Sequence, residues 1–68
     1  MLPAERKNEI LARLTFEGKV IVSDLSRQYG VTEETIRRDL EKLEKEGFAK
    51  KIYGGAIKNE NVNTELPY

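Results

Sequence analysis

Cysteine and histidine are both missing from this chain. Without thiols there is no disulfide staple and no thiolate zinc cluster, and without imidazole the commonest general base is gone, so only carboxylates, lysines and tyrosines remain as reactive groups. The lack of cysteine fits a reducing cytoplasm. A long apolar run is also missing: nothing approaches the roughly 18 to 20 residues that span a bilayer, and the N-terminus lacks the basic-then-apolar order of a secretory signal. The expectation is a soluble, unexported, cytoplasmic protein with no membrane partner. With 68 residues the chain is long enough for one domain, which at this size buries only about 60% of the surface its unfolded form exposes. A deep catalytic pocket is hard to build in that volume, and an enzyme ranks last among the possible classes.

Nor is there an excess of charge of one sign, since 12 basic residues face 12 acidic ones. Total charge alone argues against a nucleic-acid partner, but its distribution does not. Between Arg37 and Lys58 the basic residues are Arg37, Arg38, Lys42, Lys45, Lys50, Lys51 and Lys58, against the acids Asp39, Glu41, Glu44 and Glu46. Most of the compensating acids lie earlier, so the chain is a charge dipole and one face can be electropositive.

The apolar spacing organises the rest. Pro3 suits an early helical position, and Ile10, Leu11 and Leu14 form a stripe that stops near Gly18, predicting a first helix over Pro3–Glu17. Val20, Ile21 and Val22 are a β-branched run long enough for one brief strand. Ser23 is placed to cap a second helix, whose Leu25 and Tyr29 face inward and which Gly30 ends. Thr32 can cap a third helix over 33–46, with Ile36, Leu40 and Leu43 on its inner face and Gly47 as its stop. These apolar positions, together with Val31, make the predicted core. Beyond Gly47, two short extended segments flank Gly54-Gly55, a hairpin signature. The expected class is mainly α with a small β-hairpin: a three-helix winged helix-turn-helix over residues 1–58. Residues 59–68 are polar and lack apolar periodicity, and are expected to be a linker or tail.

The stretch from Gly30 to Leu40 is where function concentrates, because it joins a helix stop, a tight turn and a capped helix start whose outer face is basic. Such a helix fits the DNA major groove. Arg38 projects almost opposite the apolar stripe and is the better candidate for a base edge, with Arg37 to one side and suited to phosphate. The plainer reading is a solvated face with i,i+4 pairs from Glu34 to Arg38 and from Glu41 to Lys45, each contributing about 0.3 to 0.5 kcal/mol. Thr32 serves first as a cap, with its hydroxyl and the adjacent N–H groups also within reach of a phosphate. Glu34 could accept from cytosine N4, but pairing with Arg38 is the favoured role. On the hairpin, Lys50, Lys51 and Tyr53 with Gly54 and Gly55 at the tip form either a solvated edge or a wing that grips phosphates or enters the minor groove. Neither phosphate-binding glycine pattern, G-x-x-x-x-G-K-[ST] or G-x-G-x-x-G, is present. No cofactor and no metal are expected. The candidate DNA-binding set is therefore Thr32, Glu34, Thr35, Arg37, Arg38, Lys42, Lys50, Lys51, Tyr53, Gly54 and Gly55.

These residues resemble the N-terminal DNA-binding domain of DeoR-type bacterial transcriptional regulators. The resemblance runs from Glu5-Arg6 through Ile10, Gly18, Val20, Asp24-Leu25 and Val31 to the signals T-I-R-R-D-L (residues 35–40) and Y-G-G-A (residues 53–56). It implies a winged helix in which Arg37 and Arg38 contact operator DNA and the Gly-Gly hairpin is the wing. Lys51 stands where the family often has Arg, and Tyr53 where it often has His. Lysine keeps the charge without the bidentate fork, which favours a phosphate contact at Lys51. The family usually continues into a larger C-terminal domain that resembles sugar-phosphate isomerases and senses a phosphorylated metabolite. The resemblance thus implies the double-stranded DNA-binding head of a repressor of sugar metabolism genes, within a homo-oligomeric, sugar-phosphate-responsive protein. The rival is a winged helix used as a protein-interaction module, which the neutral net charge and the acids on the third helix favour.

Overall fold

Proline at the first helical position supplies a pre-set φ and gives up only an N–H that would have no helical partner. Helix α1 accordingly runs over Pro3–Glu17, with the Leu2 N–H donating to Glu5 Oε1 at 3.2 Å. Gly18 closes it in the left-handed conformation (φ 85°) and returns its N–H to Leu14 O at 2.7 Å. The computed structural model describes residues 1–59, and the order after α1 is β1 (Lys19–Ile21), α2 (Val22–Tyr29), α3 (Glu33–Lys45), β2 (Ala49–Ile52) and β3 (Gly55–Lys58). These elements form the expected winged helix-turn-helix.

Helix α2 begins two residues earlier than its sequence suggests, taking in Val22 from the expected strand. Ser23 is not its cap: the helix starts at Val22, preceded by extended Ile21 with no side-chain cap. The hairpin supports this earlier start, because Gly54 O accepts from Val22 N–H at 2.9 Å and satisfies one of the donors that the first turn of a helix leaves without a helical partner. At the far end of α3, Gly47 N–H donates to Glu44 O (3.0 Å) and Phe48 N–H to Leu43 O (2.9 Å), the paired bonds of a Schellman motif. That motif turns the chain directly into β2.

Ile10, Leu14, Leu25, Ile36, Leu40 and Leu43 are fully enclosed. At about 1.5 to 3 kcal/mol each, their burial outweighs any surface ion pair in the molecule. Val20, Ala49 and Ala56 complete the core from the sheet and Val22 from the start of α2, and Leu11, Tyr29 and Val31 pack at its margin. Tyr29 donates to Glu9 Oε1 across α1 and α2 at 3.2 Å. Its burial, reinforced by that carboxylate, raises the phenol pKa above 10.0.

The hairpin belongs to a three-stranded antiparallel sheet of order β1-β3-β2. Its turn is Tyr53-Gly54, since Ile52 and Gly55 already pair across the ladder. Gly55 therefore does not sit at the tip. It is a buried strand residue opposite Ile21, and a Cβ there would lie 2.0 Å from Val20 O. Asn59 extends the fold past the expected boundary, its side-chain amide donating to Gly47 O at 3.1 Å and its N–H to Phe48 O at 3.2 Å. The rest of the expected tail, 60–68, lies outside the described residues.

The two hairpin glycines should respond differently to substitution. Gly55→Ala should destabilise the domain by about 3 kcal/mol or more, because backbone has to move. Gly54→Ala has open space and only its φ of 81° to contend with, and should cost about 1 to 2 kcal/mol. Urea unfolding of both variants checks the ranking. Tyr29 carries a pH dependence, since its raised folded-state pKa means that its stabilising contribution is complete below about pH 10 and disappears as the pH rises through the folded value. Unfolding midpoints measured from about pH 8 to 11 should fall less steeply for Tyr29→Phe than for the parent chain.

Candidate nucleic-acid interface

The turn between α2 and α3 is fixed at both ends. Gly30 takes φ 68° and donates to Ser26 O at 2.9 Å, while Ser26 Oγ donates to Val31 O at 2.5 Å. Thr32 then caps α3 as expected, its Oγ1 accepting from Thr35 N–H at 3.1 Å, with the Thr35 hydroxyl 3.0 Å away. Both threonines stand at the α3 N-terminus, where free N–H groups and the positive end of the helix dipole favour an anion.

Along α3, the inward stripe leaves Arg38 and Lys42 outside in one column and Arg37, between Glu33 and Glu41, in another. Arg38 is 70% exposed and lies 3.4 Å from Glu34, the pairing expected from the sequence. Arg37 is 55% exposed and pairs with Glu33 at 3.1 Å, a partner not expected from the sequence. Lys42 continues the exposed surface one turn after Arg38. The expected Glu41–Lys45 pair is replaced: Glu41 reaches across to Lys51 Nζ at 3.3 Å, and Glu44 accepts from the Lys51 backbone N–H at 3.4 Å. The hairpin packs close enough to α3 for its lysine to compete successfully with the neighbour one helical turn away.

That packing separates the two wing lysines. Successive strand residues point to opposite faces, so Lys51 turns toward α3 and Lys50 away from it. Tyr53 at the turn is fully exposed. Between the first half of α3 and the hairpin turn lies an open cleft of about 470 Å³, lined by Glu33, Arg37, Lys51, Tyr53 and Gly54, with Val22, Leu40, Ile52 and Gly55 as its floor. The structure thus gathers Arg37, Lys51, Tyr53 and Gly54 around one groove. Arg38, Glu34, Thr35 and Lys42 lie on the outward surface of α3, and Lys50 stands apart on the other face of the hairpin.

One residue of consequence was not among the sequence candidates. Asp39 is buried, and its carboxylate accepts from Arg6 Nε at 2.5 Å and Arg6 Nη2 at 3.3 Å. The carboxylate raises the Arg6 pKa above its ordinary value, chiefly through the hydrogen bond. The available signal was positional: Asp39 falls three residues after Ile36 and four before Leu43, on the apolar stripe, where a lone charge needs a partner. Among the described residues no group of three or more His, Cys, Asp or Glu could hold a metal ion, and no helix is long and apolar enough to cross a membrane.

The family model of the DeoR-like helix-turn-helix domain matches residues 6–62. A putative aga operon transcriptional repressor of Escherichia coli O157:H7 is 52% identical over 54 residues, covering 79% of this chain and 20% of that protein. The transcriptional regulator GolR of Listeria innocua is 46% identical over 57 residues, or 84% of this chain and 22% of its own length. A putative galactitol utilization operon repressor of Escherichia coli K12 is 39% identical over 61 residues, covering 90% of this chain and 54% of that protein. This chain therefore spans a fifth to about half of these relatives, and no solved structure matches it. Since the fold is a winged helix-turn-helix and the family match crosses both α3 and the hairpin, the chain belongs to the DeoR-like helix-turn-helix family.

Proposed function

We propose that this domain is the sequence-specific double-stranded DNA reader of a bacterial transcriptional repressor, with α3 in the major groove and the hairpin against the adjoining backbone. The observation that carries the reading is the pair Arg37 and Arg38, exposed in the first half of a capped helix, with a cleft beside it that leads to the wing. A helix presenting bidentate donors at its N-terminal half can reach guanine O6 and N7. Arg38 is assigned to a base edge. Arg37, which borders the cleft, is assigned to phosphate together with Lys51, and Lys50, Tyr53 and Gly54 to the backbone or minor groove. Thr32, Thr35 and Lys42 flank the reading surface, and Glu34 steers Arg38. Gly55 acts through the fold, by letting β3 approach β1.

The names of the aga and galactitol repressors support a role in controlling genes of sugar metabolism, and their greater length supports a separate effector domain in the whole protein. That protein would be homo-oligomeric, cytoplasmic and responsive to a phosphorylated sugar through its other domain. Catalysis is no part of this reading, because the relatives are named as transcriptional regulators and repressors. A protein-interaction module remains the rival, supported by the carboxylates beside each exposed arginine.

A gel shift with nonspecific duplex at low and high salt separates the two, since only a DNA reader loses affinity steeply as salt rises. Arg38→Ala should cost about 1 to 3 kcal/mol on a duplex selected from a random pool and relax preference at one base position. Arg37→Ala should weaken binding more evenly across sequences. Retention of full affinity and selectivity by both variants would remove α3 as the reader. Changing Lys50 and Lys51 together to Ala should lower specific and nonspecific affinity by similar factors and flatten the log–log salt slope by about 0.9 for each phosphate no longer neutralised. An unchanged slope would leave the hairpin off the DNA. Titration with and without sugar phosphates should show that these 68 residues bind DNA identically in both conditions.

A further inference from the structure

We infer that Arg6 and Asp39 are positioning residues for base discrimination: an ion pair behind the reading helix sets the angle at which Arg37 and Arg38 are presented. The inference rests on the DNA-reading function proposed above. Asp39 follows Arg38 directly in α3, and among the described residues it is the one buried charged or polar side chain. Arg6 comes from the second turn of α1 and grips both carboxylate oxygens, Nε to Oδ2 at 2.5 Å and Nη2 to Oδ1 at 3.3 Å. Both side chains are nearly sealed, 11% and 5% exposed.

Apolar residues of similar volume often replace a buried ion pair with no loss of stability, so holding the fold together is not what this pair uniquely supplies. Its distinctive property is direction. The apolar core that Ile10 and Leu14 share with Ile36, Leu40 and Leu43 is non-directional and tolerates small rotations of α3. A two-bond guanidinium–carboxylate fork does not. A rotation of about 20° moves a group about 6 Å from the helix axis through about 2 Å, enough to break a bidentate contact to a base edge. Contacts to phosphate, made by mobile side chains in a diffuse field, survive such a shift. A second tie, Lys7 Nζ to Glu46 Oε2 at 2.7 Å, anchors the C-terminal end of α3 to the same helix. The Arg6 fork grips the middle of α3, one residue beyond Arg38, and therefore fixes rotation directly behind the reading side chains.

The test compares the parent chain with R6M/D39L and R6K, using a duplex selected by the parent from a random pool and a scrambled duplex, well below every unfolding midpoint. The expected result for R6M/D39L is an unfolding midpoint near that of the parent, nonspecific affinity within twofold, and a specific-to-nonspecific ratio reduced at least tenfold. R6K keeps the charge but loses the fork, and should reduce the ratio about threefold with the same nonspecific affinity. If R6M/D39L does not fold, R6K decides on the same readout. An undiminished ratio in the variants overturns the positioning role while leaving the DNA-reading function intact. Failure of the parent itself to prefer the selected duplex overturns that function, and the inference with it.

Discussion

The contact on which this architecture depends is the approach of β3 to β1 at Gly55. Ladder pairing of Ile21 with Gly55 brings Val20 O to where a side chain would begin, and only a residue without a Cβ fits. Once β3 lies against β1, its other edge receives β2, and the hairpin becomes two-thirds of a sheet instead of a free flap. Ala56 then enters the core opposite Val20, Gly54 O meets Val22 N–H, and the cleft beside α3 acquires its apolar floor. Glycine at this position is thus a requirement of packing, whereas the neighbouring Gly54 answers the backbone demand of a two-residue turn.

Much of this was legible in the residues. Helix α1 has the predicted bounds, α3 differs by one residue at its end, and Thr32 caps it, because spacing, proline, glycine and capping chemistry all act locally. What went unread was long-range. A strand of three residues has no periodicity that could name its partner: the run over 20–22 marks a strand, which forms one residue earlier at Lys19–Ile21, but it says nothing of the pairing with β3. For the same reason Val20, Val22, Ala49 and Ala56 were absent from the predicted core. The start of α2 moved forward to Val22, whose N–H the hairpin accepts, and Glu41 exchanged its helical partner for a hairpin lysine, which no local pattern encodes. At the candidate interface the basic residues could be read from composition and helical phase. Their grouping could not: Arg37 shares a cleft with Lys51 and Tyr53, and Lys50 does not, as decided by the side of the strand on which each falls.

The neutral charge of the chain takes a particular form on this surface. Arg37, Arg38 and Lys51 each have a carboxylate within 3.1 to 3.4 Å. Exposed pairs of this kind are worth only about 0.2 to 1 kcal/mol, less than a bidentate contact to a base or a phosphate. They can hold a side chain extended without preventing its transfer to a stronger partner. Glu33 and Glu34 also lie in the first turn of α3, where they favour the helix dipole. The same carboxylates oppose close approach of phosphate to that helix end, so attraction toward a polyanion is local and weak until geometry is correct.

The hydrogen bond from Val22 N–H to Gly54 O, together with that from Lys58 N–H to Gly18 O at 2.9 Å, has a thermodynamic consequence for any ligand that meets the wing. Each links a hairpin backbone group to the end of a helix, at buried Val22 and at Gly18, so peeling the hairpin away also frays the start of α2 and the end of α1. Local opening of the wing is thereby tied to a larger cooperative unit. A partner that docks there meets a backbone already ordered, and the entropic penalty of association falls on the side chains of Lys50, Lys51 and Tyr53 instead of on the loop that carries them. Complex formation at this surface should accordingly lack the large heat-capacity change of coupled folding and binding.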